Sequence, residues 1–222
     1  MNRDDFLRNI ATRLGRTPGA SPSKRSAVGV PQFWSERKVE PSEVSMRFVD
    51  TFQALGGELE SFETEDEVRN RLDDLLRELS ASAVGAWGRT AGWPFSVESV
   101  LNSWDAVRWD ETTPAEFAHV QVSITGCMFA IADTGTIAIA SSQVQGRGVH
   151  VLPSVHIVIL RESQIKLRLG EVLAWLSEQN GQAGLPASVH FVSGPSRSSD
   201  IENDQSIGVH GPARVIALML KD

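Results

Sequence analysis

The segment SGPSRSSDIE, at residues 193–202, combines residue types that could bind an anion. Its glycine, proline and serines can expose backbone N–H groups, and Arg197 can add a guanidinium. The same composition also makes an ordinary turn, in which Arg197 pairs with Asp200 or Glu202 at the surface. The residue types leave both interpretations open, so the rest of the chain has to be considered.

Two further groups of residues extend this chemistry. Ser198 or Ser199 could cap a short helix, whose free N–H groups would then lie near Ser196. Residues 208–212, GVHGP, place His210 beside a glycine in a polar loop, where an imidazole can face a ligand. Arg147 lies between two glycines and is a candidate for anion contact, or alternatively an exposed loop arginine.

Residues 133–136 form a compact polar turn directly before an apolar run, and consist of Asp133, Thr134, Gly135 and Thr136. In one interpretation their hydroxyl and N–H groups face a ligand. In the other, Asp133 accepts local backbone hydrogen bonds in a tight turn. His156 and His190 fall in apolar runs, where a structural histidine is the more common outcome, so His210 is the histidine we select as functional.

Established catalytic signatures are missing from the sequence. It contains no phosphate-binding G-x-x-x-x-G-K-[ST] loop and no H-E-x-x-H metal site, and GRGVHV at residues 146–151 lacks the third glycine of a dinucleotide-binding loop. Ser196 stands in G-P-S-R-S rather than in the G-x-S-x-G nucleophile motif. No catalytic residue can therefore be assigned, and no metal site is expected.

Composition narrows the class of protein. The 21 Lys and Arg residues against 28 Asp and Glu residues give a net charge of −7, which argues against a nucleic-acid partner. Cys127 is the single cysteine, so the chain can form neither an internal disulfide nor a four-thiolate zinc or iron–sulfur site. No apolar run is long enough to span a membrane. We expect a cytoplasmic chain without a cofactor of its own.

The N-terminal part differs in pattern from the rest. Residues 1–16 are expected to form an amphipathic helix, because Leu7, Ile10 and Leu14 share a helical face. Residues 17–40 are rich in proline and glycine without a periodic apolar face, which is typical of a flexible linker. Residues 41–222 then alternate between apolar and amphipathic stretches and are expected to form a single domain.

Within that domain, apolar strands alternate with amphipathic helices. Helices are predicted at residues 41–55, before the glycine pair, and after the capping box of Thr64 and Glu67. A third is predicted after Ser163, ending at Asn180. The predicted strands are ELESF, AVGAWG, AVRW, TIAIAS, VHIVIL, ASVHFV and ARVIALML. This alternation predicts an α/β fold, with a mostly parallel sheet, helices on both faces and ligand-binding loops at the carboxyl ends of the strands.

Three segments follow one another along the chain in a characteristic order: CMFAIADTGTIAIASS, GRGVHVLPSVHIVIL and SGPSRSSDIENDQSIGVHGP. Two earlier segments accompany them, RDDFLRNIATRLGR and RFVDTFQALGGELESF. In these segments the chain resembles the LUD-domain family of lactate-utilization protein C. The resemblance covers nearly the whole chain. It implies a fold similar to the superfamily of sugar-phosphate isomerases, CoA transferases and formyltetrahydrofolate cyclo-ligase. It also implies a role in oxidising L-lactate to pyruvate beside two partner proteins, of which at least one carries iron–sulfur clusters.

The resemblance also assigns residues. The family's turn corresponds to residues 133–136, and its C-terminal motif corresponds to Gly194, Pro195, Ser196, Arg197, Asp200, Ile201, His210, Gly211 and Pro212. Two stretches depart from the family pattern. Residues 126–128 are Gly-Cys-Met where relatives often have a Gly-Ala-Asp-like stretch, which puts an acidic contact in doubt. Ser198 and Ser199 replace a more usual Thr-Ala pair and keep its small size.

Three functions are compatible with these residues. The first is an accessory subunit of a lactate-oxidising complex, which binds a small anion where the loops converge. The second is an enzyme acting alone on a phosphorylated or CoA-linked small molecule, for which Asp133, Asp200 and Glu202 supply carboxylates. The third is a non-catalytic scaffold, in which the N-terminal helix captures a partner. The sequence does not identify the ligand or the oligomeric state.

Overall fold

The computed structural model describes residues 2–19, 39–180, 184–201 and 204–222. Its contacts divide the chain into two compact units, residues 1–38 and residues 39–222. In the first unit, helix α1 spans Arg3–Arg13, and the Asn2 side chain accepts a hydrogen bond of 2.8 Å from the N–H of Asp5 at its start. Most of the predicted linker lies outside the described residues, so the proposed division of the chain into segments stays a prediction.

The described part of the second unit contains five α-helices, and the sequence predicted three of them. They are α2 (Pro41–Ala54), α3 (Glu65–Glu78), α4 (Glu98–Ser103), α5 (Pro114–Phe117) and α6 (Leu169–Asn180). At the start of α3, Thr64 and Glu67 form the predicted capping box, with each side chain accepting a hydrogen bond from the other residue's backbone N–H. After α2, Gly56 has a positive φ of 84°, which ends the helix without a steric penalty.

The strands fall into three sheets. In chain order they are β1 (Glu58–Phe62), β2 (Val84–Ala86), β3 (Val107–Arg108), β4 (Val122–Thr125), β5 (Phe129–Ile131), β6 (Thr136–Ala140), β7 (Val155–Arg161), β8 (Ile165–Lys166), β9 (Val189–Val192), β10 (Arg197–Ile201), β11 (Asp204–Ile207) and β12 (Arg214–Leu220). The largest sheet has the order β1-β12-β7-β4-β2-β3, and all its neighbours pair in parallel. This confirms the predicted α/β fold with a mostly parallel sheet.

Strand β4 was not among the predicted strands. Its sequence, VSIT, alternates apolar and polar residues, yet all four residues are buried. Ser123 and Thr125 lie in the interior, where Thr125 Oγ1 is 2.8 Å from His156 Nε2 on β7. A strand covered on both faces is normally recognised by a continuous apolar run, and these polar residues interrupt that run.

A second sheet, in the order β8-β5-β6-β9, corrects one expectation. Strands β6 and β9, predicted from TIAIAS and ASVHFV, pair with each other in antiparallel fashion and do not join the parallel sheet. The segment at residues 193–202 therefore follows a strand of this second sheet. The rule that ligands bind at the carboxyl ends of parallel strands does not apply to it directly.

Side chains that alternate along β7 and β12 face opposite sides of the parallel sheet and belong to two core clusters. One set, which includes Ile157 and Ile216, packs with α3 and α4. The other set, which includes Val158 and Val215, packs with Phe48 and Phe52 of α2 and with the second sheet. The outer face of the second sheet packs against α6 through a smaller cluster: Ile131, Ala138, Val172 and Leu176. Helices therefore cover both faces of the parallel sheet, and the second sheet lies between that sheet and α6.

Two local predictions were wrong. Helix α6 begins at Leu169 rather than after Ser163, because residues 165–166 pair with β5 before the helix starts. Ser198 and Ser199 lie in β10, where Ser198 pairs with Ser206 of β11, so neither residue caps a helix. None of the helices in the described part of the chain has the length and apolar composition needed to cross a membrane.

Candidate functional site

A cleft of about 450 Å³ opens where three separate segments meet. Its lining comprises His150 and Val151, residues 189–196, and residues 210–212. The first segment is the end of a single 3₁₀ turn, Arg147–His150, and the second is β9 with the loop that follows it. The size of the cleft is within the range of small-molecule sites.

Backbone hydrogen bonds hold the two C-terminal segments side by side. The N–H of Ser196 donates to the Pro212 carbonyl over 2.9 Å, and the N–H of Gly208 donates to the Ser196 carbonyl over 2.9 Å. A Cβ on Gly211 would lie 3.3 Å from the Cβ of Ser196, so glycine permits this close approach. The hairpin of β10 and β11 returns the chain and brings the GPS and HGP stretches into one wall of the cleft.

Histidines dominate the polar part of this cleft. His150, His190 and His210 line it, and the His150 and His190 rings have centroids 4.8 Å apart with planes at 80°. His156 lies behind them, with its ring centroid 6.0 Å from that of His150. Four of the chain's five histidines therefore gather here, although they come from four different stretches of the sequence.

The most buried of the lining histidines is His150. Only 3% of its surface is exposed, and neither ring nitrogen has a hydrogen-bond partner among the described residues. Burial, with a smaller contribution from the charge of His190, lowers the pKa of His150 to about 4. The imidazole is neutral at pH 7, so one ring nitrogen donates and the other accepts. Native structures seldom leave both nitrogens of a buried imidazole unsatisfied, so a water or a ligand is expected to bind at this position.

His156 differs from His150 because it has a partner. It is fully buried on β7, and its Nε2 lies 2.8 Å from Thr125 Oγ1. Burial is the main cause that lowers the pKa of His156 to about 3, and the charge of His150 adds to it. His190 is half-buried, with its Nε2 3.1 Å from Ser188 Oγ. These contacts hold the rings of His156 and His190 next to His150.

The polar turn at residues 133–136 adjoins the cleft through the hydroxyl of Thr136. Thr136 Oγ1 lies 2.7 Å from Ser193 Oγ, and Ser193 lines the cleft. Gly135 has a φ of 54°, and a Cβ on it would lie 2.6 Å from the carbonyl carbon of Thr51 in α2. The turn is thus pressed against α2, and Thr136 links it to the loop after β9.

The carboxylate of Asp133 faces cations of the protein itself. Its Oδ1 lies 2.7 Å from Arg47 Nε on α2, and its Oδ2 lies 3.9 Å from Arg168 Nε before α6. The Asp133 side chain is 16% exposed. In this arrangement Asp133 joins α2 to the second sheet through arginine side chains rather than through local backbone hydrogen bonds.

Arg197 also contacts α2 rather than the cleft. Its Nη2 donates a hydrogen bond of 2.6 Å to the carbonyl of Leu55, immediately after the end of the helix. A cation is favourable at this end of a helix because the last carbonyls carry partial negative charge. Gly194, with a φ of 83°, also packs on the Leu55 carbonyl. Arg197 is absent from the residues described as lining the cleft.

The structure therefore brings together only part of the predicted site. Gly194, Ser196 and His210 line the cleft, and Thr136 adjoins it. Asp133, Thr134, Gly135, Arg147 and Arg197 lie outside the described lining, and Arg147 is exposed at the start of the 3₁₀ turn. The backbone of Asp200 belongs to β10, but its side chain lies outside the described residues.

Sequence reasoning missed His150 and His190, which line the cleft. His190 was assigned a structural role because it interrupts an apolar run, and His150 was not considered. Strand alternation offers one usable signal: His190 pairs with Ile139, and Ile139 faces the interior between the two sheets. No comparable pattern identifies His150, because it belongs to a short irregular turn.

The described lining of the cleft contains no Lys, Arg, Asp or Glu side chain. Its polar groups are imidazoles, the hydroxyls of Ser193 and Ser196, and backbone amides. In the described residues, no three or more His, Cys, Asp or Glu side chains are grouped in a way that could hold a metal ion. The cleft is therefore suited to hydrogen bonding rather than to strong ion pairing.

A family model and similar proteins of known sequence point to the same family. The family model described as LUD domain matches residues 45–220. The chain is similar to lactate utilization protein C of Halalkalibacterium halodurans, at 31% identity over 99% of this chain and 98% of that protein. It is also similar to lactate utilization protein C of Shouchella clausii, at 29% identity over 100% and 98% of the two chains.

A solved structure supports the fold independently. The crystal structure of a DUF162 family protein from Deinococcus radiodurans is similar to this chain with a TM-score of 0.61 and 21% identity. The match covers 82% of this chain and 99% of that one. At this level of identity the likeness concerns the fold alone.

Proposed function

This chain belongs to the LUD domain family, and we propose that it is a component of a lactate-utilization system in which it binds a small anionic ligand in the cleft. The match to proteins named lactate utilization protein C extends over essentially the full length of both partners. The proposal therefore concerns the whole chain.

One observation carries the ligand-binding part of the proposal. The two stretches that most resemble the family, around Ser196 and around His210, form one wall of a single cleft although a hairpin separates them. A fold that needed these stretches only as turns would not require them to border a common cavity. The hydroxyls, imidazoles and backbone N–H groups of that wall supply hydrogen-bond donors for a small carboxylate.

The single cysteine supports a role as an accessory subunit. Cys127 is buried, and burial raises the pKa of its thiol to about 12, which disfavours the thiolate needed for metal or cluster binding. In our proposal the iron–sulfur clusters that accept electrons from lactate reside on partner proteins. This chain contributes ligand binding and assembly.

An enzyme acting alone on a phosphorylated or CoA-linked substrate receives less support. Such substrates carry concentrated negative charge, which proteins usually neutralise with arginine, lysine or a metal ion. Arg197 is engaged at the end of α2, and the described lining of the cleft contains no Lys or Arg side chain.

Complementation tests the proposed function. A bacterium lacking its lactate utilization protein C should regain growth on L-lactate when this chain is supplied together with its own partner proteins. Cell extracts should regain lactate-dependent dye reduction, and a tagged copy of this chain should retain the iron–sulfur partners. Restored assembly with unchanged lactate oxidation would reject a role in the reaction, and failure of all three would reject the proposal.

A variant that narrows the cleft connects the function to the site. Gly211→Val places methyl groups against Ser196 and should abolish growth on L-lactate while the chain remains folded. Gly92→Val is a matched control, because a Cβ on Gly92 meets nothing within 4 Å. Equal growth with both variants would show that lactate utilization does not need this cleft.

A further inference from the structure

The lining of the cleft contains a buried polar side chain that has no hydrogen-bond partner among the described residues. His150 is 3% exposed, lines the cleft, and has two ring nitrogens with no hydrogen-bond partner among the described residues. By contrast, the neighbouring His156 and His190 each have one nitrogen near a hydroxyl, on Thr125 and Ser188 respectively. Among the histidines that line the cleft, His150 is therefore the one whose two ring nitrogens are both buried without a partner in the described residues.

The arrangement of the rings keeps His150 in place without using its nitrogens. The His190 ring meets it at 80° with a centroid distance of 4.8 Å, and the His156 ring has its centroid 6.0 Å away with the planes at 42°. The edge-to-face contact with His190 packs against the imidazole ring and is not a hydrogen bond to its nitrogens. Its two ring nitrogens are buried and have no partner among the described residues, so the one donor and one acceptor of the imidazole are unused by those residues.

The charge of the lining restricts what that molecule can be. No Lys or Arg side chain is among the described lining residues, and the buried imidazole is neutral. A phosphate or a dicarboxylate would bring charge that this lining does not balance. A hydroxyl or carbonyl oxygen, in contrast, matches a neutral imidazole, because a hydroxyl both donates and accepts and a carbonyl accepts.

We propose that His150 is a ligand-binding residue, which hydrogen-bonds the hydroxyl or carbonyl oxygen of a small 2-hydroxy or 2-oxo monocarboxylate, with His190 positioning its ring. The inference rests on the proposed function for the choice of a carboxylate and goes beyond it by naming the contact. The carboxylate itself is directed to the other wall, where Ser196 and the backbone provide donors. The selectivity for such a ligand over other monocarboxylates then comes from the hydrogen bond to the oxygen on its second carbon, and not from a contact with an arginine.

Ligand titrations on the purified full chain test the chemical class. L-lactate and pyruvate should bind and raise the melting temperature, while propionate, which lacks the second oxygen, should bind roughly tenfold more weakly because a hydrogen bond to a buried group is lost. Inorganic phosphate should bind no better than propionate. Equal affinity for lactate and propionate, binding of phosphate alone, or no binding of any of these probes would overturn the proposal.

Variants test the residue. His150→Phe should weaken L-lactate binding roughly tenfold or more and leave propionate binding unchanged, while His150→Gln, which keeps a donor and an acceptor, should restore most of the affinity. His119→Gln is the matched control, because His119 is the exposed histidine outside this group. If His150→Phe fails to fold, the Gln variant decides: its selectivity for lactate over propionate must persist, and loss of that preference contradicts a hydrogen-bonding role.

These results separate the two proposals. If the wild-type chain and His150→Phe support growth on L-lactate equally, the contact is wrong and the lactate-utilization role stands. If lactate binds through His150 but the chain fails to complement, the site is right and the proposed system is wrong.

Discussion

Arg197 donates a hydrogen bond of 2.6 Å to the carbonyl of Leu55, at the end of helix α2, and so ties the loop after β9 to a helix early in the domain. This contact explains why an arginine in a loop of serines does not face the cleft beside it. It also leaves His150, His190 and His210 as the titratable groups in the described lining of that cleft.

Loss of Arg197 should affect stability more than binding. Arg197→Ala removes the hydrogen bond to Leu55 and a cation from the end of α2, which should cost less than about 1.5 kcal/mol because the side chain is exposed. Urea unfolding should detect this loss, while the affinity for L-lactate stays within about threefold of the wild type. Arg147→Ala, at another exposed arginine, should leave both quantities unchanged. A large loss of affinity with Arg197→Ala would instead place this arginine at the ligand.

Acid should destabilise the protein through its two buried histidines. Burial lowers the pKa of His150 to about 4 and that of His156 to about 3, from an ordinary 6.5. As pH falls below 6.5, the unfolded chain takes up these protons and the folded chain does not. The free energy of unfolding then falls by up to about 1.4 kcal/mol per pH unit for each histidine, until the folded pKa values are reached. Above pH 6.5 this contribution is fully retained.

Urea unfolding at several values between about pH 7.5 and pH 5 measures the slope of the free energy of unfolding against pH. Carboxylates contribute to it as well, so the comparison with variants is what isolates the histidines. His150→Gln should lower the slope of the free energy of unfolding against pH, because the variant takes up nearly one proton fewer on unfolding. His119→Gln should keep the slope of the wild type. If the two variants behave alike, His150 does not stay neutral in the folded protein.

The turn at residues 133–136 should not tolerate a side chain at Gly135. Its φ is 54°, and a Cβ there would lie 2.6 Å from the backbone of Thr51, which cannot move without displacing α2. Gly135→Ala should therefore destabilise the protein by roughly 2–4 kcal/mol. Gly92→Ala is the control, since that position is exposed and open. Similar denaturation midpoints for the two variants would contradict the close packing of the turn on α2.

Asp133 should prove more important for stability than an exposed aspartate with a comparable partner. Asp133→Asn removes the charge that faces Arg47 and Arg168, and the partly buried arginines should make this cost about 1–3 kcal/mol. Asp66→Asn is the matched control, because Asp66 also pairs with an arginine, Arg69, but is 86% exposed. Surface pairs of that kind contribute little. An equal effect of both substitutions would show that burial of Asp133 is unimportant.

Local signals in the sequence predicted the elements where short-range physics decides them. The capping box of Thr64 and Glu67 starts α3, and Gly56 ends α2, because both depend on neighbours within a few residues. The apolar runs of β7 and β12 were recognised because burial on both faces requires continuous apolar residues. The helix predicted after Ser163 was misplaced, because pairing of β8 with a distant strand overrode the local cap.

The sequence by itself determined that this is an α/β chain with a parallel sheet, and that the polar loops around Ser196 and His210 contain residue types that can bind a ligand. Only the tertiary structure decided which groups meet there. It placed β6 and β9 in a separate sheet, directed Arg197 and Asp133 to other parts of the protein, and gathered His150, His156 and His190 beside one cleft. Hydrophobic periodicity and capping act within one turn or strand, whereas contacts between distant segments depend on the packing of layers.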